Sequence, residues 1–339
     1  MSILEKFKTF ILTSRMSNTS IFAMAGPLGV LIGVVLVFLS GVLIEQLVHY
    51  ISWRYQRAKS GVAAIFAPLI TSAPELAVFT VAILQGELEV AWGSIVAQPF
   101  MAATIIYPVV LLTTFSAWVA GKRRNKIPHV TRDIAVPLIA FTLPLLPILF
   151  LHPEKYGVIG RAYGVLLLVL YVIYAKYMLR EEEVEEPEGG LWLKNSLLQT
   201  FVAILSIATG AEFLVAGIVE LGVTLGVDKT ALAVIIIPIA SVIPESIVGL
   251  IFLFKGQDNE GVSAMIGEKA LYGTFYPGVA MALGVYTLGE AAALALLLAI
   301  VVSIIEIIIV WRFGYFGLSA PVGLLAYVYY ISRFLTGVI

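Results

Sequence analysis

Cysteine is absent from this 339-residue chain, and histidine occurs only three times. Disulfides and thiolate metal centres are thereby excluded. Charge is scarce too: 13% of residues are charged and the formal net charge is −1. Nothing in that balance suits nucleic acid. The hydrolase motifs H-E-x-x-H and G-x-S-x-G do not occur, nor do paired aspartates on apolar runs. An enzyme is therefore not expected.

What fills the chain instead is apolar. Hydrophobic residues make up 60% of it and the mean hydropathy is +1.00. Soluble domains do not have this composition; polytopic helical membrane proteins do. At about 30 residues per helix and loop there is room for about ten spans. An amphipathic lead-in occupies residues 1–20. No cleavable signal peptide is expected, because the run Phe7 to Thr13 is short. Spans are predicted near 24–50, 60–85, 90–119, 133–151 and 156–178. A second set follows near 196–222, 230–254, 260–286, 288–311 and 317–337. Between them lies REEEVEEPEGG (180–190), whose charge run, proline and glycines read as a solvated connector. The predicted units are residues 1–179, an acidic cytoplasmic linker 180–195, and residues 196–339.

The stretch Ala67–Glu75, APLITSAPE, returns 170 residues later as Ile237–Glu245, IPIASVIPE. Pro68, Pro74, Glu75 and Gly86 pair with Pro238, Pro244, Glu245 and Gly256 at one offset. A carboxylate in hydrocarbon is costly and faces a partner or a water-filled cavity. A proline in a helix frees the carbonyl four residues earlier, here Ile70 and Ala240. Two broken helices with Pro-Glu at corresponding positions of two halves point to a midplane ion site of a secondary transporter.

Thirteen of the 21 Lys and Arg residues fall on one set of alternate loops and seven on the other, with Lys269 in the membrane. The bias places both termini outside. Five spans per half then make the second half an inverted copy of the first. The expected fold class is an all-α polytopic membrane protein of ten helices in two inverted five-helix repeats.

The chain resembles the calcium/cation antiporter superfamily, whose best-known branch is the sodium/calcium exchangers. The resemblance rests on Ile70-Thr71-Ser72-Ala73-Pro74-Glu75, its second copy Ala240-Ser241-Val242-Ile243-Pro244-Glu245, and Gly210-Ala211-Glu212-Phe213-Leu214-Val215 ahead of the second repeat. It implies a cation site built from Glu75, Glu245, Thr71, Ser72 and Ser241 between spans 2, 3, 7 and 8. The family's second element, a serine, an asparagine and a further asparagine or aspartate, falls here on Gln98, Pro99 and Ala102. In the second repeat it falls on Glu268, Lys269 and Tyr272. Two of the four groups that usually hold calcium, and the two serines that usually help hold sodium, are thus replaced.

The individual residues carry alternatives. Glu75 and Glu245 form the ion or proton site, or each bonds a neighbouring helix end. Glu268 joins the site or reaches an interface. Lys269 does not face Glu268 along a helix; it reaches across to Glu75 or Glu245, or snorkels to the surface. Three ionised glutamates against Lys269 leave a charge of −2, enough for one divalent cation or two protons, and Glu268 in place of a serine favours proton coupling. Glu45 and Glu212 line a cavity or make local hydrogen bonds. Glu306 is structural or an oligomer contact, and the three histidines lie near loops. The expected function is exchange of calcium or another cation against protons or sodium in the cell membrane. No cofactor is expected beyond the transported calcium, sodium or proton, and the partners are the lipid bilayer and small inorganic cations. The alternative is a degenerate relative that does not transport and serves as a scaffold or sensor.

Overall fold

The computed structural model describes residues 26–54, 72–178, 191–266, 269–285 and 287–337. Thr71 and Glu268, and the side chains of Glu45, Ser241 and Glu245, lie outside the described residues.

The described chain is helical, with one isolated antiparallel bridge, His129 to Tyr315. In chain order the helices are α1 (Gly26–Arg54), α2 (Ala73–Gln85), α3 (Leu88–Val119), α4 (Arg132–Leu151) and α5 (Val158–Met178). Then come α6 (Ser196–Leu225), α7 (Lys229–Lys255), α8 (Asp258–Ile266), α9 (Ala270–Gly273), α10 (Phe275–Leu283), α11 (Glu290–Phe313) and α12 (Ala320–Leu335). Six of the described helices, α1, α3, α4, α5, α6 and α11, contain stretches long and apolar enough to cross a membrane.

Local chemistry sets the helix ends. Asn195 caps α6 by accepting from Leu197 N and Leu198 N, and Asp228 caps α7 by accepting from Ala231 N. Helices α2 and α7 stop the same way. Gly86 and Gly256 take left-handed φ values of 76° and 86°, which glycine adopts without strain. Their amides bond Ile83 O and Leu253 O, and the next amides bond Ala82 O and Phe252 O. Every partner in one cap stands 170 residues from its counterpart in the other.

The expected break at Pro-Glu does not appear in the second half; in the first half α2 begins only after the non-helical Ser72, and the chain before it lies outside the described residues. Pro74 lies in the first turn of α2 as described, where a missing N–H costs little. Helix α7 runs unbroken from Lys229 to Lys255 through Pro238 and Pro244. Further interruptions fall one helix later in each half. In α3, residues Ala102–Ile106 form a π-turn. In the second half Lys269 stands in a turn ahead of α9, and the chain leaves the helix again at Thr274.

Helix α3 is the central post, with every residue from Val90 to Met101 buried. Contacts around it come in pairs: α1 with α7 and α2 with α6; α3 with α12 and α10 with α5; α3 with α11 and α9 with α4. Helices α1 and α6 pack backbone to backbone. A Cβ on Gly33 would meet Leu214 N at 2.6 Å, and one on Gly217 would meet Val30 N at 2.7 Å.

The ends of α7 mark two faces about 40 Å apart at 1.5 Å per residue. At its Lys255 end, Arg123 from the loop after α3 donates to Leu253 O and pairs with Asp258 at 2.9 Å, and His129 N donates to the same carboxylate. At its other end Lys229 pairs with Glu87 at 2.9 Å. The loop that follows α3 is thereby docked against the end of α7 and the start of α8. Glu306, buried in α11, accepts from the amides of Gly317 and Ser319 and holds the turn into α12, which is the structural role.

Candidate functional site

Helix α2 carries Glu75 in its first turn, and the side chain is 2% exposed. From the middle of α3, Gln98 donates through Nε2 to Glu75 Oε1 at 3.1 Å. The other end of the same amide, Oε1, accepts from Lys269 Nζ at 3.4 Å. Only one orientation of the amide serves both neighbours, with NH2 toward the carboxylate and C=O toward the ammonium. A neutral side chain thus relays between two opposite charges, both withdrawn from water. Neither charge would be stable there alone.

Lys269 owes its position to the turn ahead of α9. Its amide donates to Ile266 O and its carbonyl accepts from Tyr272 N, both at 3.0 Å. The side chain is 2% exposed. Its Nζ lies 5.5 Å from the centroid of the Tyr272 ring, within cation–π range. Tyr272 stacks on Tyr276 at 5.1 Å. The Tyr276 hydroxyl donates to Ser72 O at 2.9 Å and lies 3.0 Å from Ser72 Oγ. Ser72 stands three residues before Glu75, so the network closes on itself. Ser72, Glu75 and Gln98 bring their oxygens to this one cluster.

Four residues expected at the site, Ser72, Glu75, Gln98 and Lys269, are brought together. Lys269 turns inward and does not snorkel; among the described residues it bonds the Gln98 amide, which carries the contact on to Glu75. Glu212 is elsewhere. It accepts from Gln85 Nε2 at 2.7 Å, at the far end of α2 from Glu75 and outside this cluster. Tyr276 also enters the network, although it was not among the residues expected at the site. The signal for it was present: Thr104-Ile105-Ile106-Tyr107-Pro108 recurs as Thr274-Phe275-Tyr276-Pro277, one residue shorter. That residue is taken up in the π-turn, which holds one extra residue without turning the helix beyond it. The repeat offset falls there from 170 to 169.

A sequence model described as "Sodium/calcium exchanger protein" matches residues 25–180 and again residues 195–336. The chain belongs to this family. With it the chain stands in the calcium/cation antiporter superfamily, among integral membrane transporters and not among enzymes. One curated relative, the vacuolar calcium ion transporter of Schizosaccharomyces pombe, is 22% identical over 220 residues, covering 58% of this chain. The alignment spans about half, 52%, of that relative's length. Among solved structures, the H+/Ca2+ exchanger CAX superimposes with a TM-score of 0.68 at 19% identity, over 98% of this chain and 87% of that one. Native YfkE gives 0.64 at 16%, over 98% of each chain. The sodium-calcium exchanger NCX_Mj gives 0.51 at 16%, over 91% and 97%. These likenesses show the fold: the helical exchanger architecture extends over nearly the whole chain.

Proposed function

We propose that this family member is a secondary cation antiporter of the cell membrane, exchanging calcium or another cation against protons or sodium by alternating access. The observation that carries the reading is the buried cluster of Ser72, Glu75, Gln98 and Lys269. It gathers oxygen donors and one fixed cation from α2, α3 and the turn ahead of α9, at a depth where charge is expensive. Glu245, Ser241, Thr71 and Glu268 complete the site between spans 2, 3, 7 and 8 by repeat symmetry.

The proposed frame is ten spans in two inverted halves, 1–179 and 196–339, joined by the linker 180–195 on the inside, with both termini outside. Its support is geometric. Gly86 and Gly256 close equivalent helices with equivalent bonds, yet Glu87 meets Lys229 at one end of α7 while Gly256 ends α7 at the other. Equivalent turns at opposite faces are what an inverted repeat requires. The paired helix contacts and the twofold match of the family model agree with it.

Calcium uptake into proteoliposomes, driven in turn by a proton and a sodium gradient, tests the function, with Glu75→Gln and Glu245→Gln as controls. Uptake that requires one gradient and falls about 100-fold in the variants is expected, the scale of losing a charged hydrogen-bond partner. A second reading, a relative that no longer transports, draws on one observation. Ser72, Glu75 and Gln98 already have internal partners in Tyr276, Gln98 and Lys269. No uptake under either gradient, with monovalent ions also tried, would favour it.

A further inference from the structure

We propose that Lys269 is a tethered counter-cation that permanently fills one cation position of this site and excludes a free monovalent ion from it. The inference deepens the antiporter reading, on which it rests for the location of the site. Three features of Lys269 are those of a bound ion. It is dehydrated, being 2% exposed. It lies against a carbonyl oxygen, Gln98 Oε1, that an ion would use as a ligand. It also lies 5.5 Å from the centroid of an aromatic ring, that of Tyr272.

A fourth feature separates it from an ion. Its backbone is pinned by the bonds from Lys269 N to Ile266 O and from Tyr272 N to Lys269 O. The charge therefore stays when the substrate leaves. The repeat makes the device one-sided, because residue 170 positions earlier is Pro99, which carries no charge. Among the described residues, then, one half contributes the carboxylate and amide, Glu75 and Gln98, and the other contributes the cation.

The consequence is selectivity. A second monovalent cation about 4 Å from an ammonium binds roughly a thousandfold more weakly at an effective dielectric near 20. With Lys269 in place, sodium gains no foothold beside Gln98. Without it, the carboxylates face a position of the right charge and with oxygen ligands, open to sodium from solution.

The test does not need transport. Wild type, Lys269→Gln and Lys269→Ser are purified in detergent, and thermal unfolding is followed in choline chloride and in sodium chloride at equal ionic strength. The expected result is a lower midpoint for the variants in choline and a saturable rise toward wild type with sodium, larger than any sodium effect on wild type. Sodium binds the position beside Gln98 in the native state of the variants alone, and mass action raises their stability. Equal midpoints for a variant in both salts would overturn the proposal, as would sodium stabilisation of wild type to the same degree. Recovery of neither variant in folded form, even with sodium present throughout purification, would also count against it, because a refillable position would let sodium rescue folding. Sodium rescue of variants in a chain that moves no calcium would leave the tethered cation standing and remove the antiporter reading.

Discussion

Thr104 in α3 and Thr274 ahead of α10 stand 170 residues apart and make the same bond, hydroxyl to the carbonyl four residues back. The acceptors are Phe100 O at 2.7 Å and Ala270 O at 2.6 Å. Each is followed by Tyr-Pro, and each proline removes a backbone donor. The outcomes differ. The first copy has one residue more and absorbs it as a π-turn, so α3 stays a single helix through the centre of the molecule. The second copy leaves the helix at Thr274, with φ −131° and ψ −62°. Close packing goes with the break. Gly273 lies against the carbonyl of Phe141 in α4, whereas its counterpart Ala103 keeps its methyl and offers its own carbonyl to Gly323 of α12. The comparison teaches that one punctuation can keep a helix whole or divide it, depending on a single inserted residue and the neighbour's backbone. Lys269 lies at the divided copy.

Deletions break the comparison most strongly. Removing Leu111, in the regular part of α3, rotates everything after it by about 100° and is expected to abolish recovery of folded protein. Removing Ile105 takes out the extra residue of the π-turn and makes the first copy as short as the second. Folded protein is expected, with a melting temperature close to wild type, and size-exclusion chromatography followed by thermal unfolding decides it. Equal loss for both deletions would mean that the π-turn is not the insertion.

Gly273→Ala comes next. The added methyl is driven into the Phe141 backbone, and a cost of about 1–3 kcal/mol is expected from overpacking. Ala103→Gly in the first copy should cost less, about 0.5–1 kcal/mol, through helix propensity alone. Tyr276→Phe removes the donor to Ser72 O and is expected to cost about 1 kcal/mol, while Tyr107→Phe gives up only a 3.4 Å contact with Ser303 and should cost under about 0.5 kcal/mol. Calcium-dependent shifts in melting temperature should follow Tyr276→Phe and not Tyr107→Phe.

The smallest effects fall on the threonines. Thr104→Val is expected to be near neutral, because a back-bonding hydroxyl adds little to an intact helix. Thr274→Val should cost about 1 kcal/mol, since Thr274 N turns to Leu271 O and the hydroxyl alone replaces it at Ala270 O. Paired denaturation of the two variants would show whether the sign of that difference holds.

The sequence by itself determined the class of molecule. Runs of apolar residues longer than a soluble helix needs, with almost no charge, have few places to go but a bilayer. Two Pro-Glu segments at one offset mark where charge must be sheltered. The helix ends at Gly86 and Gly256 were legible for the same reason, since a left-handed cap is a local demand that glycine meets. The tertiary structure decided what spacing cannot encode. Lys269 and Gln98 are 171 residues apart, and Tyr276 and Ser72 are 204 apart. A periodicity says which face of a helix is buried, not which neighbour it meets. Whether Lys269 snorkelled or turned inward, and whether Glu212 joined the site or bonded Gln85, depended on a break in one helix and on which helices lie side by side. Those are properties of the packed molecule, where the cost of an unpaired buried charge selects one partner among several that the sequence allowed.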